Sequence, residues 1–387
     1  MAIPLKYNFR NLVVRRTTTL MTALSITLTV AVFIILMALA EGLQSSLTST
    51  GNPLNVLIMR EGAQSEAVSF VDRDALQIIK YLHGIAKDKS GNPWVDPELI
   101  ILMNFPRLGQ KGGANVTIRG VGPDGPSLRP QFHLIAGRYF HPGLREVIVS
   151  KQISERFQNC SLGDKVKFAK GYWTVVGIFE AGHSAYDSEI WTDVHDLEQD
   201  FDRPQYSDVV VRATDQAAVN EIEQQAKNDR RLHLKTQTEL EYYQQQTSSA
   251  APIKAFGIFI AILMAVGASF AAMNTMYAAV ARRTREIGTL RAIGFSRRSI
   301  LLCFVLESVF IAILGGVIGC LISLPMNGVT TGTTNFTTFS ELTFNFRVTP
   351  ELCGVGIVFA ALMGLLGGFF PAWRASHESI VTALRST

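Results

Sequence analysis

Three stretches of this 387-residue chain carry residue types that catalyse reactions elsewhere, and their spacing decides what each is able to do. Gly109 to Gly113 holds glycines and a lysine, but no G-x-x-x-x-G-K-[ST] run occurs, so the backbone cradle that holds nucleotide phosphates is not encoded. Gly182-His183-Ser184-Ala185-Tyr186 puts a serine at the centre of a nucleophile-elbow pattern, yet Tyr186 stands where the second glycine of the sharp turn belongs. His377-Glu378 begins like a zinc-protease helix, but Val381 replaces the second histidine ligand. The cysteines form no framework, because Cys303, Cys320 and Cys353 fall in apolar runs and Cys160 stands alone. These residues predict no catalytic site, no metal site and no bound cofactor in this chain.

The chemistry that the sequence does support is electrostatic. Between Ala281 and Ile300 lie Arg282, Arg283, Arg285, Arg291, Arg297 and Arg298 against the single acid Glu286, and apolar runs flank the segment on both sides. Such a basic loop stays in the cytoplasm. If it is helical, Ile287, Leu290 and Ile293 form an apolar stripe with arginines on its flanks, while Gly288 and Gly294 permit tight turns. That design suits the groove of a partner protein. The alternative is a solvated basic loop that orients the chain and touches anionic lipid. Glu307, the one acid inside an apolar run, is expensive in lipid and is expected to be solvated from the nearby cytoplasmic end or to pair with polar groups such as Asn274 rather than to move protons.

These groups need a membrane to position them. Hydrophobic residues make up 48% of the chain and charged ones 18%, and the apolar residues are clumped. The fold class expected is a membrane α-helical protein with four transmembrane helices, at residues 18–40, 253–281, 300–325 and 351–373. Residues 1–17, 282–299 and 374–387 are then cytoplasmic, as Lys6, Arg10, Arg15 and Arg16 before the first span and Arg374 and Arg385 after the last agree. The first span imitates a signal peptide up to Ala38-Leu39-Ala40, but its apolar run is too long, so an uncleaved anchor is expected. Gly315, Gly316 and Gly319 in the third span and Gly364, Gly367 and Gly368 in the fourth mark close helix contacts, within the chain or at a dimer seam. Pro371 ends or kinks the fourth span.

Residues 41–250 form a large extracytoplasmic α/β domain. Leu54 to Met59, Phe70 to Ile85 and Glu98 to Met103 read as strand, helix and strand; Asp208 to Arg212, Asp215 to Asn228 and Leu232 to Thr236 repeat that order. Residues 115–200 lie between these halves as a β-rich insertion. The polar stretch Leu240 to Ala250 is expected to carry the second span out of the bilayer as a stalk, and residues 326–350 to form a short outer loop.

The sequence TREIGTLRAIG ahead of a long apolar segment resembles the coupling loop of the FtsX/MacB family of ABC transporter permeases (type VII, mechanotransmission). The first span, the phrases IAGRYF, REVIVSKQISERF, LGDKVKF and WTVVGIF, and the carboxyl end GLLGGFFPAWRASHESIVTALRS resemble the same family. The resemblance implies a permease with a MacB-like periplasmic domain made of a divided porter-like lobe and a β-rich insertion; with no phosphate-binding loop, the chain departs from MacB itself and is expected to lack a fused ATPase domain. It implies that Arg285, Glu286, Ile287, Gly288, Leu290, Arg291, Ile293 and Gly294 contact a separate ABC ATPase dimer, which holds the ATP and Mg. It further implies a second copy of the chain or a paralogous permease, a periplasmic adaptor or substrate protein, surrounding lipid, and a bacterial inner-membrane location; no nucleic acid is expected. The function implied is export or extrusion of a lipoprotein or small molecule from the outer side of the membrane. The alternative is a signalling subunit that regulates a cell-wall hydrolase.

Overall fold

The computed structural model describes residues 16–229, 231–335, 337–378 and 380, and the chain divides into two compact units. Lys6, Arg10, Arg15, Val381 and Arg385 lie outside the described residues.

One unit is a helical bundle. Four helices are long and apolar enough to cross a membrane, within Thr19–Thr48, Glu239–Ala281, Arg297–Gly328 and Pro350–His377. They are α1 (Arg16–Thr48), α7 (Ala251–Ala281), α9 (Arg297–Ser323) and α10 (Pro350–His377). The short α8 (Thr284–Ala292) lies between α7 and α9. Close approach of these helices needs residues without side chains, since lipid supplies no hydrophobic drive between them. A Cβ on Gly315 would lie 2.9 Å from the Ala23 carbonyl oxygen, and one on Gly364 would lie 2.5 Å from the Ala312 Cβ. Gly316, Gly319, Gly367 and Gly368 likewise face residues of neighbouring helices in this same chain. Hydroxyls reinforce the seams: Thr27 Oγ1 donates to the Gly315 carbonyl at 3.0 Å, and Ser308 Oγ to the Gly364 carbonyl at 2.7 Å. Pro371 sits inside α10, which continues to His377 rather than ending there.

The other unit, 42–251 with 330–345, is built on one ten-stranded sheet. Its strands are β1 (Asn55–Arg60), β2 (Val95–Pro106), β3 (Gly113–Val121), β4 (His133–Gly137), β5 (Glu146–Ser150), β6 (Lys165–Phe168), β7 (Gly171–Glu180), β8 (Glu189–Asp193), β9 (Asp208–Arg212) and β10 (Leu234–Thr238). The order is β10-β1-β9-β2-β3-β8-β5-β7-β4, with β6 against β7. Helices α2 (Arg73–Ile79), α3 (Lys151–Arg156), α4 (Val194–Phe201), α5 (Gln216–Asn228) and α6 (Glu239–Gln246) complete the unit.

The β-rich insertion of 115–200 shares one sheet with the two halves, because β2 is twelve residues long and bridges both parts: Val95 to Glu98 pair with β9, and Leu99 to Pro106 pair with β3. One expectation about this unit changes. The helix expected over Phe70 to Ile85 is only Arg73–Ile79, since an isolated bridge at Ile85 to Ala213 returns the chain to extended structure. The connection 326–350 also differs from a plain loop. It forms a hairpin, β11 (Thr330–Thr334) and β12 (Glu341–Asn345), that belongs to the sheet-bearing unit. Buried Glu341 anchors it there through Arg107 and Arg156, each at 2.6 Å.

Candidate coupling site

Helix α8 is fixed at both ends by its own backbone chemistry. Arg283 occupies the N-cap, and its carbonyl accepts from the Ile287 amide at 3.0 Å. At the other end the Phe295 amide reaches the Leu290 carbonyl and the Gly294 amide the Arg291 carbonyl, both at 3.1 Å, the paired bonds of a Schellman stop. Gly294 takes φ +105°, which a side chain would strain. Ser296 then caps α9 by accepting from the Ser299 amide at 3.2 Å. A basic helix of nine residues is thus delimited by sequence-local signals.

The three apolar residues do not share one surface. Ile287 is 4% exposed and joins Met276, Ile300, Phe304, Val305, Ala372 and Ala375 in a core cluster of the bundle, and Gly288 is buried beside it. Leu290 is half-buried, and Ile293 is 68% exposed. Arg285, Glu286, Arg297 and Arg298 are exposed with it, and Arg291 is half-buried with its guanidinium 3.5 Å from the Ser376 carbonyl. Of the stripe, Ile287 therefore serves the chain's own fold, and Ile293 with its basic neighbours is the free part.

Glu307 does not pair with Asn274, which is exposed. Its Oε2 accepts from Arg283 Nη1 at 3.1 Å, in a pair whose members are 4% and 6% exposed. The arginine was legible as a topology signal, but its burial was not, because nothing in the order of charges separates it from Arg282 or Arg285.

The sheet-bearing unit holds a second buried ionic cluster that the sequence reading missed. Arg119 on β3, 1% exposed, grips Glu189 with Nε and Nη2, each at 2.8 Å, and donates through Nη1 to Glu66 Oε1 at 3.0 Å and to Glu98. Arg129 meets Glu98 Oε1 at 2.6 Å and lies 4.7 Å from the Tyr186 ring centre. Glu66, Glu98 and Asp208 bring carboxylate oxygens within 4.8 Å of one another, the spacing a cation would need. Arg119 already supplies positive charge to two of the three, so the cluster reads as an internal salt-bridge network. Ser184, the centre of the elbow-like pattern, is buried and not presented on a turn surface.

Asp208 behaves differently from its neighbours. It stands opposite Glu98 on adjacent antiparallel strands, and neither of its carboxylate oxygens has a hydrogen-bond partner. Burial, then the charges of Glu66 and Glu98, push its pKa well above the usual carboxylate range. The folded chain therefore keeps a proton that the unfolded chain releases above about pH 4, so this group lowers stability as pH rises through that window. Asp208→Asn removes the titration. Its stability relative to wild type is expected to improve as pH is raised from about 4 toward neutrality, read from denaturation midpoints at several pH values. A gap that stays constant with pH would contradict a neutral Asp208.

Four candidate spans with a mixed α/β unit in the chain between the first and second are the layout of a membrane protein with one large extramembrane unit. The FtsX-like permease C-terminal model matches residues 258–380, and the MacB-like periplasmic core domain model matches residues 19–229. The chain belongs to the FtsX/MacB family of ABC transporter permeases. It is 32% identical over 138 residues, 36% of this chain and 18% of the other, to the macrolide export ATP-binding/permease protein MacB of Syntrophobacter fumaroxidans. It is 26% identical over 294 residues, 70% of this chain and 44% of the other, to the MacB protein of Bdellovibrio bacteriovorus. It is also 32% identical over 136 residues, 33% of this chain and 31% of the other, to the ABC transporter permease YtrF of Bacillus subtilis. The matched part thus spans less than half the length of each of these relatives.

Proposed function

We propose that this chain is the membrane subunit of an ABC transporter in which a separate ATPase, holding ATP and Mg, docks on α8 and the turn that follows it. The observation that carries this reading is the exposed Ile293 at the C-cap of α8, with Arg285 exposed on α8 and Arg297 and Arg298 exposed at the start of α9, while Ile287 on the inner face of α8 is packed into the bundle. An exposed apolar residue on a basic segment suits a groove with an acidic rim. Movement imposed there would pass into the spans, and the sheet-bearing unit, on the extracytoplasmic side, would do work on a lipoprotein or small molecule. A permease dimer, of two copies or of two related chains, and an adaptor or substrate protein outside the membrane complete the assembly. The MacB relatives are named for macrolide export; a macrolide is one candidate substrate here.

The test is Ile293→Asp in the full chain co-expressed with its ATPase. A charge placed in an apolar contact costs on the order of 2–5 kcal/mol, enough to release the ATPase on purification. The side chain is free in the bundle, so insertion and thermal stability of the permease should match wild type. Full ATPase retention by the variant would remove α8 and its turn as the docking site.

A further inference from the structure

Arg283 holds three elements together. Its amide donates to the Val280 carbonyl at 2.9 Å at the end of α7, its carbonyl begins α8, and its guanidinium reaches Glu307 in α9 at 3.1 Å. The same guanidinium lies 5.8 Å from the Phe304 ring centre, and its Nε stands 3.9 Å from Glu286 on α8. One turn further on, Ile287 packs in the cluster that contains Phe304.

Neither orientation nor stability requires this burial. A positive charge that only orients a loop works from the surface, as exposed Arg282, Arg285, Arg297 and Arg298 do. Burying an ion pair costs desolvation that its attraction often fails to repay, and well-packed apolar replacements are frequently neutral or stabilising. What an ion pair adds over an apolar contact is direction, because it fixes where one group stands relative to the other.

We propose that Arg283 and Glu307 are positioning residues that carry displacement of α8 into α9, so that a pull on the exposed helix moves the third span. This rests on the reading that an ATPase docks at α8.

The experiment uses the complete permease–ATPase complex in nanodiscs and compares wild type, Glu307→Gln and the double variant Arg283→Met with Glu307→Leu. The double variant keeps the apolar filling and loses the directed contact to Glu307, together with the longer approaches of Arg283 to the Phe304 ring and to Glu286. Expected are wild-type thermal stability and ATPase retention in the double variant, with ATP turnover reduced about 3- to 30-fold and KM for ATP unchanged. Glu307→Gln should show the same loss of turnover. Wild-type turnover in the double variant overturns the proposal, and so does a double variant that fails to fold, since that assigns the pair to stability. If the unmodified chain retains no ATPase, the docking reading fails first, and that result is visible before any variant is compared.

Discussion

Arg119→Met is expected to destabilise the sheet-bearing unit by about 3–5 kcal/mol, because removing one partner of a buried network leaves charges without compensation. Arg119 bonds Glu66, Glu98 and Glu189, all of them buried, and after its loss Arg129 is the remaining fully buried arginine in contact with that set. A domain of this kind is stable by about 5–15 kcal/mol in total, so the loss is a large fraction. Buried Trp191 donates to Glu189 Oε2 at 2.7 Å and offers a fluorescence reporter for denaturant titration of the full chain in detergent. An unchanged midpoint would show that the network contributes nothing to stability.

Gly364→Leu is expected to have the next largest effect on the stability of the folded chain. The new Cβ would lie 2.5 Å from the Ala312 Cβ and 3.0 Å from both the Ser308 carbonyl oxygen and the Val309 Cα, so α9 and α10 must separate. Overpacking of this kind costs about 1–3 kcal/mol or more, and the bond from Ser308 Oγ to the Gly364 carbonyl is lost with it. Gly354 on the same helix has open space around its Cα, so Gly354→Leu serves as the control and should leave the melting temperature of the purified permease near wild type. Equal melting temperatures for the two variants would contradict the close packing of the third and fourth spans.

How much of this was readable beforehand follows from which periodicities survive in the sequence. The spans were legible because an apolar run of about 20 residues has few other uses. Strands β1 and β9 were placed to within a residue, since short continuous apolar runs rich in β-branched residues, Val56 to Met59 and Val209 to Val211, specify them. The continuity of the sheet was not legible. It depends on β2 pairing with β9 over its first four residues and with β3 over the rest, and no local signal marks that change of partner.

The ionic cluster was hidden for a related reason. On β3, Val116 and Ile118 face the core, and alternation would put Thr117 and Arg119 in solvent. Both faces of β3 are covered, so Arg119 is buried on the side that the pattern assigns to water. The coupling segment was legible as a basic helix, but its spacing gave Ile287, Leu290 and Ile293 equal weight. Only packing against Ala372 and Ala375 shows that Ile287 points inward while Ile293 does not.

On the docking proposal, this chain works with a separate nucleotide-hydrolysing subunit held at α8. The most direct measurement is purification of the tagged full chain from its native membranes, with subunits identified and counted by mass spectrometry and ATP hydrolysis assayed on the same sample. Expected are an ABC ATPase at one copy per permease, hydrolysis that co-elutes with it, and loss of both in Ile293→Asp. A wild-type permease that elutes intact without an ATPase, or that hydrolyses ATP on its own, would contradict it.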